Sequence, residues 1–598
     1  MARLTVAPAI VVLGAGALPV AERIRARYQG ATIHALAGRA EGDVAFSELG
    51  AHLRALYARG NPVVALCAAG IVIRCVAPCL ADKGVEPPVL AVAEDGSAVV
   101  PLLGGLTGVN LLAREIAETL GVAPAITTSG ELRFGACVLN PPEGYALADI
   151  GAGKRFVSDL LAGASTRVDG AAPWLEGVAL PVDAAGSHAI RVTPRRAGGA
   201  GSGELLIHPR SVVMALAEGF AHQVESLATP AQAADHEAGG DPLARRILDA
   251  LAAADLSPLA LAALVAPRQC MREAALARAA RELGVPLRFV ASEADPAGDA
   301  AALLDAALAA GSIDASPAIT LDDHGKPSKS LAIAIAEAPV DANRLGQARG
   351  SLTVLGLGPG RADLLAPAAR LALAEATDIL GYATYVRMAG PFRADQRVHE
   401  TDNREELQRA RHAFELAAQG RRVAMVSSGD PGVFAMAAAV LEALDGAGER
   451  AWDEVALEVV PGVSAAFATA AEAGAPLGHD FCVISLSDNL KPWGVIEERL
   501  ALAARADLVM AFYNPISAAR PWQLDRALEI LREIRAADTV VVLGRDVGRP
   551  GASLRSLTLG ELRAADVDMR TMVIVGSSKT RRFASAEREW IYTPRFYD

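Results

Sequence analysis

The feature that most constrains this chain is an alternation running through nearly all of its 598 residues. Short Val/Ile/Leu runs are separated by Ala/Leu/Arg/Glu stretches of helical length. Short apolar runs bounded by glycine or proline read as strands buried on both faces, and the stretches between them as crossover helices. That order predicts α/β domains built on parallel sheets. Near the N-terminus the predicted strands are Ala9–Leu13, Pro62–Leu66, Val89–Val92 and Ala98–Leu103, with helices over Gly50–Arg59 and Asn110–Leu120. At roughly 150 residues per domain the length predicts about four domains. Their expected bounds are 1–140, 141–204, 205–346 and 351–598. The second has weaker periodicity and ends in a glycine-rich loop after Arg195-Arg196. The third carries a polar insert, Thr229–Asp241, and from Ser351 the strand-turn-helix pattern starts afresh.

Composition excludes several classes. A chain that is 52% hydrophobic and 21% charged is not a disordered linker. Its 69 acids against 57 Lys plus Arg give a net charge of -12, so counterion release offers no drive toward nucleic acid. A local basic cleft for an anionic small molecule stays compatible with that balance. Six cysteines in this length make no disulfide scaffold. The spacing of Cys67, Cys75 and Cys79 is not a zinc spacing, and no two of the ten histidines lie within five residues of each other. No metal centre is expected. The apolar run Leu4–Ala21 is interrupted by Pro8, Gly14, Gly16 and Pro19, so it reads as strand, turn and helix rather than as a signal peptide. No segment reads as a membrane span. The expectation is a soluble, cytoplasmic protein.

Two glycine turns invite a dinucleotide reading, and neither supports it. Pro19 stands where Gly14-Ala-Gly16 would need its third glycine. Gly356-Leu-Gly358-Pro359-Gly360 also lacks it, and Pro359 has no N–H for a pyrophosphate. The C-terminal part has a denser signal. Four special turns follow apolar runs: Leu355–Gly360, Ser427–Gly432, Val460–Ala465 and Ala511–Pro515. Loops at the carboxyl ends of parallel strands converge on one crevice, where ligands bind.

With these segments in order, residues 351–598 resemble the tetrapyrrole methyltransferases, the class III S-adenosylmethionine fold. The resemblance is nearest to the precorrin-3B C17-methyltransferases, which methylate and ring-contract a corrin precursor. It rests on Gly356–Gly360, Gly381–Tyr385, Val426–Phe434, Pro461–Ala466, Leu477–Asp480, Ile484–Asp488, Phe512–Pro515, Val573–Arg581 and Thr593–Arg595. It implies a two-lobed, usually dimeric α/β domain that binds S-adenosylmethionine between its lobes. By the same resemblance Gly356, Gly358, Pro359 and Gly360 border the cleft, and Gly429, Asp430, Val433 and Phe434 hold the methionine part of the cofactor. Ser464 and Ala465 line that pocket, Phe512 and Tyr513 flank the adenosyl group, and Ser577, Ser578, Lys579 and Thr580 close it.

Methyl transfer from a sulfonium to an electron-rich carbon needs alignment and a dry cleft more than a strong base. Ring contraction must also move a hydroxyl proton, which calls for an acid/base near the macrocycle. Asp488, with Ser485 and Ser487 beside it, is the candidate; its alternative role is to cap the following helix. Arg545, Arg549, Lys579, Arg581 and Arg582 are candidate partners for the substrate's carboxylates.

Residues 1–346 resemble the CbiG proteins of the cobalamin pathway, whose activity is lactone opening on a cobalt-precorrin. The match rests on Ala69–Arg74, Ala77-Pro78, Asp82-Lys83, Leu102–Gly105, Asn110 and Ile126–Thr128, and more weakly on Val285–Phe289. This chain has Leu106 where that family carries a histidine, and Ala215–Phe220 where it carries a glycine–cysteine turn. The resemblance therefore implies either a bifunctional enzyme with a cobalt-precorrin-5A hydrolase or a non-catalytic tetrapyrrole-binding module beside the methyltransferase.

Overall fold

The computed structural model describes residues 7–28, 30–80, 86–196, 203–222, 241–291, 299–320, 329–390, 392, 395–402, 406–448, 450–585 and 588–596. Asp82-Lys83 and all of the Thr229–Asp241 insert but Asp241 lie outside the described residues, as does most of the glycine-rich loop after Arg196. The chain divides into two compact units, one of residues 1–349 with 391–395, the other of 350–390 with 396–598.

Among the described residues the first unit holds three sheets. The first runs in the order Val44–Phe46, Thr32–Leu36, Ala9–Val12, Val63–Leu66, Val89–Val92, Val99–Leu103. Its first five strands are parallel and the last is antiparallel. The predicted strands and the two predicted helices, Leu49–Ala58 and Val109–Leu120, stand within a residue or so of their expected bounds. The antiparallel edge strand Val99–Leu103 is only half-buried, because a sheet edge has no neighbour on one side. Apolar residues pack on both faces of this sheet, Ile10 and Val12 on one and Ala9 and Val11 on the other.

Next along the chain comes a four-stranded sheet, Tyr145–Leu147, Glu204–Pro209, His188–Val192 and Thr166–Asp169, where the sequence pattern is weakest. The third sheet centres on Leu261–Pro267, Val212–Leu216 and Leu331–Ile335. Helix starts in this unit repeat one device. Asp149, Asp241 and Asp299 each accept hydrogen bonds from the backbone N–H groups two and three residues ahead. This satisfies donors that a helix leaves orphaned and places a negative charge at its positive end. Among the described residues no helix is long and apolar enough to cross a membrane.

A pair of imidazoles, His34 buried and His52 partly so, ties this first sheet to a helix. His34 Nδ1 lies 2.8 Å from His52 Nε2, and Thr32 Oγ1 lies 2.9 Å from His34 Nε2. Burial, then the neighbouring His52, pushes the His34 pKa down to about 4; burial and Arg59 lower that of His52. Asp43 pulls His34 the other way, but not far enough to cancel this. The stabilisation from keeping His34 neutral is complete above its unfolded pKa of about 6.5. It is lost as pH falls toward 4, because the unfolded chain takes up a proton that the folded domain refuses. The expected loss is roughly 3 kcal/mol. Hydrogen-exchange protection of Thr32–Leu36 should fall over that window in the parent and much less in His34→Asn.

The second unit has two main sheets. One is wholly parallel, in the order Arg397–Thr401, Asp378–Tyr382, Arg422–Ser427, Ser351–Gly356, Ala456–Val460. The other is mixed: Phe481–Ser485, Val509–Tyr513, Thr571–Val575, Val540–Arg545, Ser553–Thr558. A small third sheet pairs Gly474–Ala475 with the hairpin Arg581–Ser585 and Arg588–Tyr592.

Candidate active site

The parallel sheet positions the site through its strand order. Arg422–Ser427, Ser351–Gly356 and Ala456–Val460 are neighbours, so the three loops at their carboxyl ends emerge side by side. The loops then touch through glycine backbones. Gly358 N donates to Gly429 O at 3.1 Å and Gly429 N donates back to Gly358 O at 2.8 Å, both residues with φ of +67°. A Cβ on Gly356 would fall 2.3 Å from Gly429 O, and one on Gly462 2.2 Å from the same atom. No side chain fits there, which is why glycine recurs at these strand ends.

Asp430 fastens the arrangement. Its Oδ1 accepts from Gly432 N at 2.8 Å and its Oδ2 from Gly462 N at 3.0 Å, so one carboxylate joins its own turn to the next loop. Beyond that loop Ser464 is buried and caps helix Ala465–Ala473, its Oγ accepting from Phe467 N at 3.4 Å. Phe434, 52% exposed, holds a φ of +52°. A bulky residue rarely adopts that region, at a cost of about 1–3 kcal/mol. Its ring centroid lies 5.5 Å from that of Tyr513, and Lys491 Nζ stands 5.7 Å from it. Burial, helped by the Arg499 charge, lowers the Lys491 pKa.

The second lobe closes on these loops at defined points. Tyr513 Oη accepts from Ala466 N at 3.2 Å, at the start of the Ser464-capped helix. Arg549 donates from Nε to Pro359 O at 3.1 Å and from Nη2 to Ser428 Oγ at 3.0 Å. It thus bridges two of the three glycine loops. Burial raises the Tyr385 pKa, against a smaller lowering by Arg549. At the carboxyl ends of Phe481–Ser485 and Val509–Tyr513, Ser485 Oγ accepts from Ser487 N at 3.3 Å and from Asn514 Nδ2 at 3.1 Å. Asp488 accepts from the buried Gln523 Nε2 at 3.1 and 3.3 Å. The helix that follows is Trp493–Arg505 with Pro492 at its N-cap, so Asp488 does not cap it.

Two groups of expected residues stand elsewhere. Phe512 is fully buried, packed in the core with Leu500, Leu524 and Val573, so its ring lies in the core rather than on the cleft surface. Strand alternation sends Tyr513 to the other face. Ser577, Ser578, Lys579 and Thr580 follow strand Thr571–Val575, which runs antiparallel to Val509–Tyr513 with Val575 opposite Met510. Ser578 accordingly bonds Asp507, ahead of that strand, at 2.9 and 2.6 Å. Tyr513 lies at the strand's far end, roughly 13 Å away at the usual rise per residue. The turn is bound to its own surroundings: Ser577 N donates to Thr580 Oγ1 at 2.8 Å, and Thr580 Oγ1 meets Thr593 Oγ1 at 2.8 Å. The edge of the sheet beside Tyr513 is instead formed by Thr571 and Arg545. Arg545 is engaged by Asp546 and Asp568.

Gly462, Asn514 and Gln523 belong to the cleft beyond the expected binding and catalytic residues, while Arg549, expected as a carboxylate partner, bridges two glycine loops. Gly462 had a signal, its place after Pro461 at a strand end; the others are joined to the cleft by contacts distant in sequence.

Two α/β lobes that meet over apposed glycine loops define the class III tetrapyrrole methyltransferase fold. Residues 351–563 match the family of Tetrapyrrole (Corrin/Porphyrin) Methylases, and residues 51–131 match Cobalamin synthesis G N-terminal. A precorrin-3B C(17)-methyltransferase of Sinorhizobium sp is 52% identical over 249 residues, covering 42% of this chain and 97% of that protein. The cobalamin biosynthesis protein CobIJ of Mycobacterium tuberculosis (strain ATCC 25618 / H37Rv) is 46% identical over 285 residues, 47% of this chain. The chain spans 54% of that longer relative. The crystal structure of the methyltransferase CobJ matches at 52% identity and a TM-score of 0.39, covering 41% of this chain and 100% of that one. Through its C-terminal unit this chain belongs to the tetrapyrrole methyltransferase family.

Proposed function

We propose that the second unit carries out S-adenosylmethionine-dependent C17 methylation of precorrin-3B with ring contraction to precorrin-4, in cobalamin biosynthesis. The observation that carries this reading is the 52% identity to a precorrin-3B C(17)-methyltransferase across 97% of its length. The cleft suits the cofactor. A Cβ at Gly429 would project toward Ser464 Cα at 3.6 Å and Ala465 N at 3.8 Å, filling the space between two loops that glycine leaves open. Gly429, Asp430, Val433, Phe434, Ser464, Ala465 and Tyr513 would hold the cofactor, with Gly356, Gly358, Pro359 and Gly360 at its border. When bound, the cofactor supplies a sulfonium methyl group already electrophilic enough to need no strong base. The chain's own residues then orient and exclude water: the glycine loops set the cleft floor, and Phe434 and Tyr513 give it an apolar wall.

Asp488 is proposed as the proton acceptor for ring contraction, oriented by Gln523, with Ser485 and Ser487 shaping the same loop. Asp488→Asn is expected to lower ring-contracting turnover by about 10²–10⁴-fold. Cofactor affinity should stay unchanged. Full turnover in that variant removes Asp488 from the mechanism. A homodimer through this unit and a cytoplasmic location belong to the same proposal, as does the division of the first unit at 140 and 204. Light scattering of the purified chain checks the dimer.

The reading is tested by anaerobic incubation of the full chain with S-adenosylmethionine and metal-free precorrin-3B, followed by mass and absorbance. Gain of one methyl with loss of the porphyrinoid spectrum is expected. Turnover of the cobalt-loaded analogue alone would reassign the substrate. In the first unit Leu106 lines a cavity of about 420 Å³, and among the described residues no histidine lines it. That favours a non-catalytic role for the CbiG-like region over a lactone hydrolase.

A further inference from the structure

A cavity of the first unit, about 420 Å³, lies between the turn after strand Val99–Leu103 and the segment leading into helix Ile150–Leu161. Its walls are apolar: Leu103, Leu106, Phe134, Val138, Leu139 and Val157. Its floor is a polar network. Glu131, with a side chain 2% exposed, accepts from Asn110 Nδ2 at 2.6 Å and pairs with Arg114 at 2.7 Å. Asn110 is itself buried, and it also donates to Thr128 Oγ1 at 3.1 Å. Thr128 lines the cavity, and a hydroxyl whose oxygen accepts still has an O–H to donate.

Among the described residues the charges of this cavity cancel. Glu131 is matched by Arg114 on the floor, and Glu86 and Lys154 bring one charge of each sign to the lining. The thiol of Cys137, with Sγ 3.9 Å from Gly105 O, is held neutral by burial, which raises its pKa. A neutral, mainly apolar cavity at the lower end of the roughly 300–1,000 Å³ range of small-molecule sites does not suit a macrocycle with many carboxylates.

We propose that this cavity binds an uncharged small molecule with an apolar ring or branched body and one hydrogen-bonding group that meets Thr128. The site is independent of the methyltransferase reading and stands or falls without it.

The test uses N-phenyl-1-naphthylamine, an uncharged fluorescent amine with one N–H, and its anionic relative 8-anilinonaphthalene-1-sulfonate. The full chain is expected to bind the first dye at one saturable site and the second at least tenfold more weakly. Gly105→Phe fills the cavity without strain, since a Cβ there meets nothing within 4 Å. It should weaken the uncharged dye at least tenfold and leave methyl transfer unchanged. Val157→Trp repeats the reading should Gly105→Phe fail to fold. Thr128→Val should weaken the dye severalfold with the cavity still open. Absence of a saturable site, equal affinity for the two dyes, or parental affinity in the filled variants each overturns the proposal.

Discussion

Gly462→Ala is expected to lower methyl transfer by about 100-fold or more and to lower the thermal midpoint of the C-terminal unit. The added methyl would sit 2.2 Å from Gly429 O and 3.0 Å from Gly356 C, against backbone on both sides. Neither neighbour can rotate away, so the loops must part. Overpacking of this kind typically costs about 1–3 kcal/mol in stability. Misplacement by about 1 Å in a site that works by alignment costs about 10²-fold in rate. Gly494→Ala is the matched control. Gly494 lies in the first turn of helix Trp493–Arg505, where a Cβ meets nothing within 4 Å, so alanine there should leave rate and stability close to the parent's. Measured kinetics and calorimetry on the two variants separate a general dislike of alanine from the specific contact of three loops. Parental kcat in Gly462→Ala would contradict the apposition of those loops.

Asp430→Ala and Asp430→Asn should be nearly equally damaging, each lowering kcat/KM by about 10²-fold. The carboxylate accepts one N–H at each oxygen, from Gly432 and from Gly462. Alanine leaves both donors without their acceptor. Asparagine keeps one acceptor but turns an N–H group toward a second N–H donor, which repels it. Charge-assisted bonds of this type are each worth about 1.5–3 kcal/mol. Were Asp430 chiefly a contact for a cationic ligand group, Asp430→Asn would raise KM and leave the thermal midpoint unmoved. Loss of stability together with rate marks the carboxylate as the fastener of two loops. Differential scanning calorimetry beside steady-state kinetics distinguishes the two.

How much of the cleft could be read in the residues varies with the range of the interaction. Turns that needed glycine were visible because the demand is local: a strand end, a positive φ at Gly358 and Gly429, a proline beside it. The N-terminal strands and helices were visible for the same reason, through periodicity within a dozen residues. Ser577–Thr580 were placed on the wrong end of their sheet. The segment matched a motif in order, but which end of a strand meets the cleft depends on strand direction, and Thr571–Val575 runs antiparallel to Val509–Tyr513. Phe512 and Tyr513 show the limit at its shortest range. Alternation says that adjacent side chains face opposite ways, and only the packing of helices on one face says which of the two is buried.

By itself, the sequence determined the α/β class, the reset near Ser351, the glycine-bearing strand ends and the membership of a methyltransferase family. These follow from local backbone demands and short periodicities that each segment carries alone. Tertiary structure decided that three glycine loops share one floor and that Asp430 fastens two of them. It also decided that Arg549 reaches across 190 residues to Pro359, and that Asp488 meets Gln523. Those contacts depend on strand order and register. Both are set by how whole sheets bury their apolar faces, and no single stretch of chain encodes that.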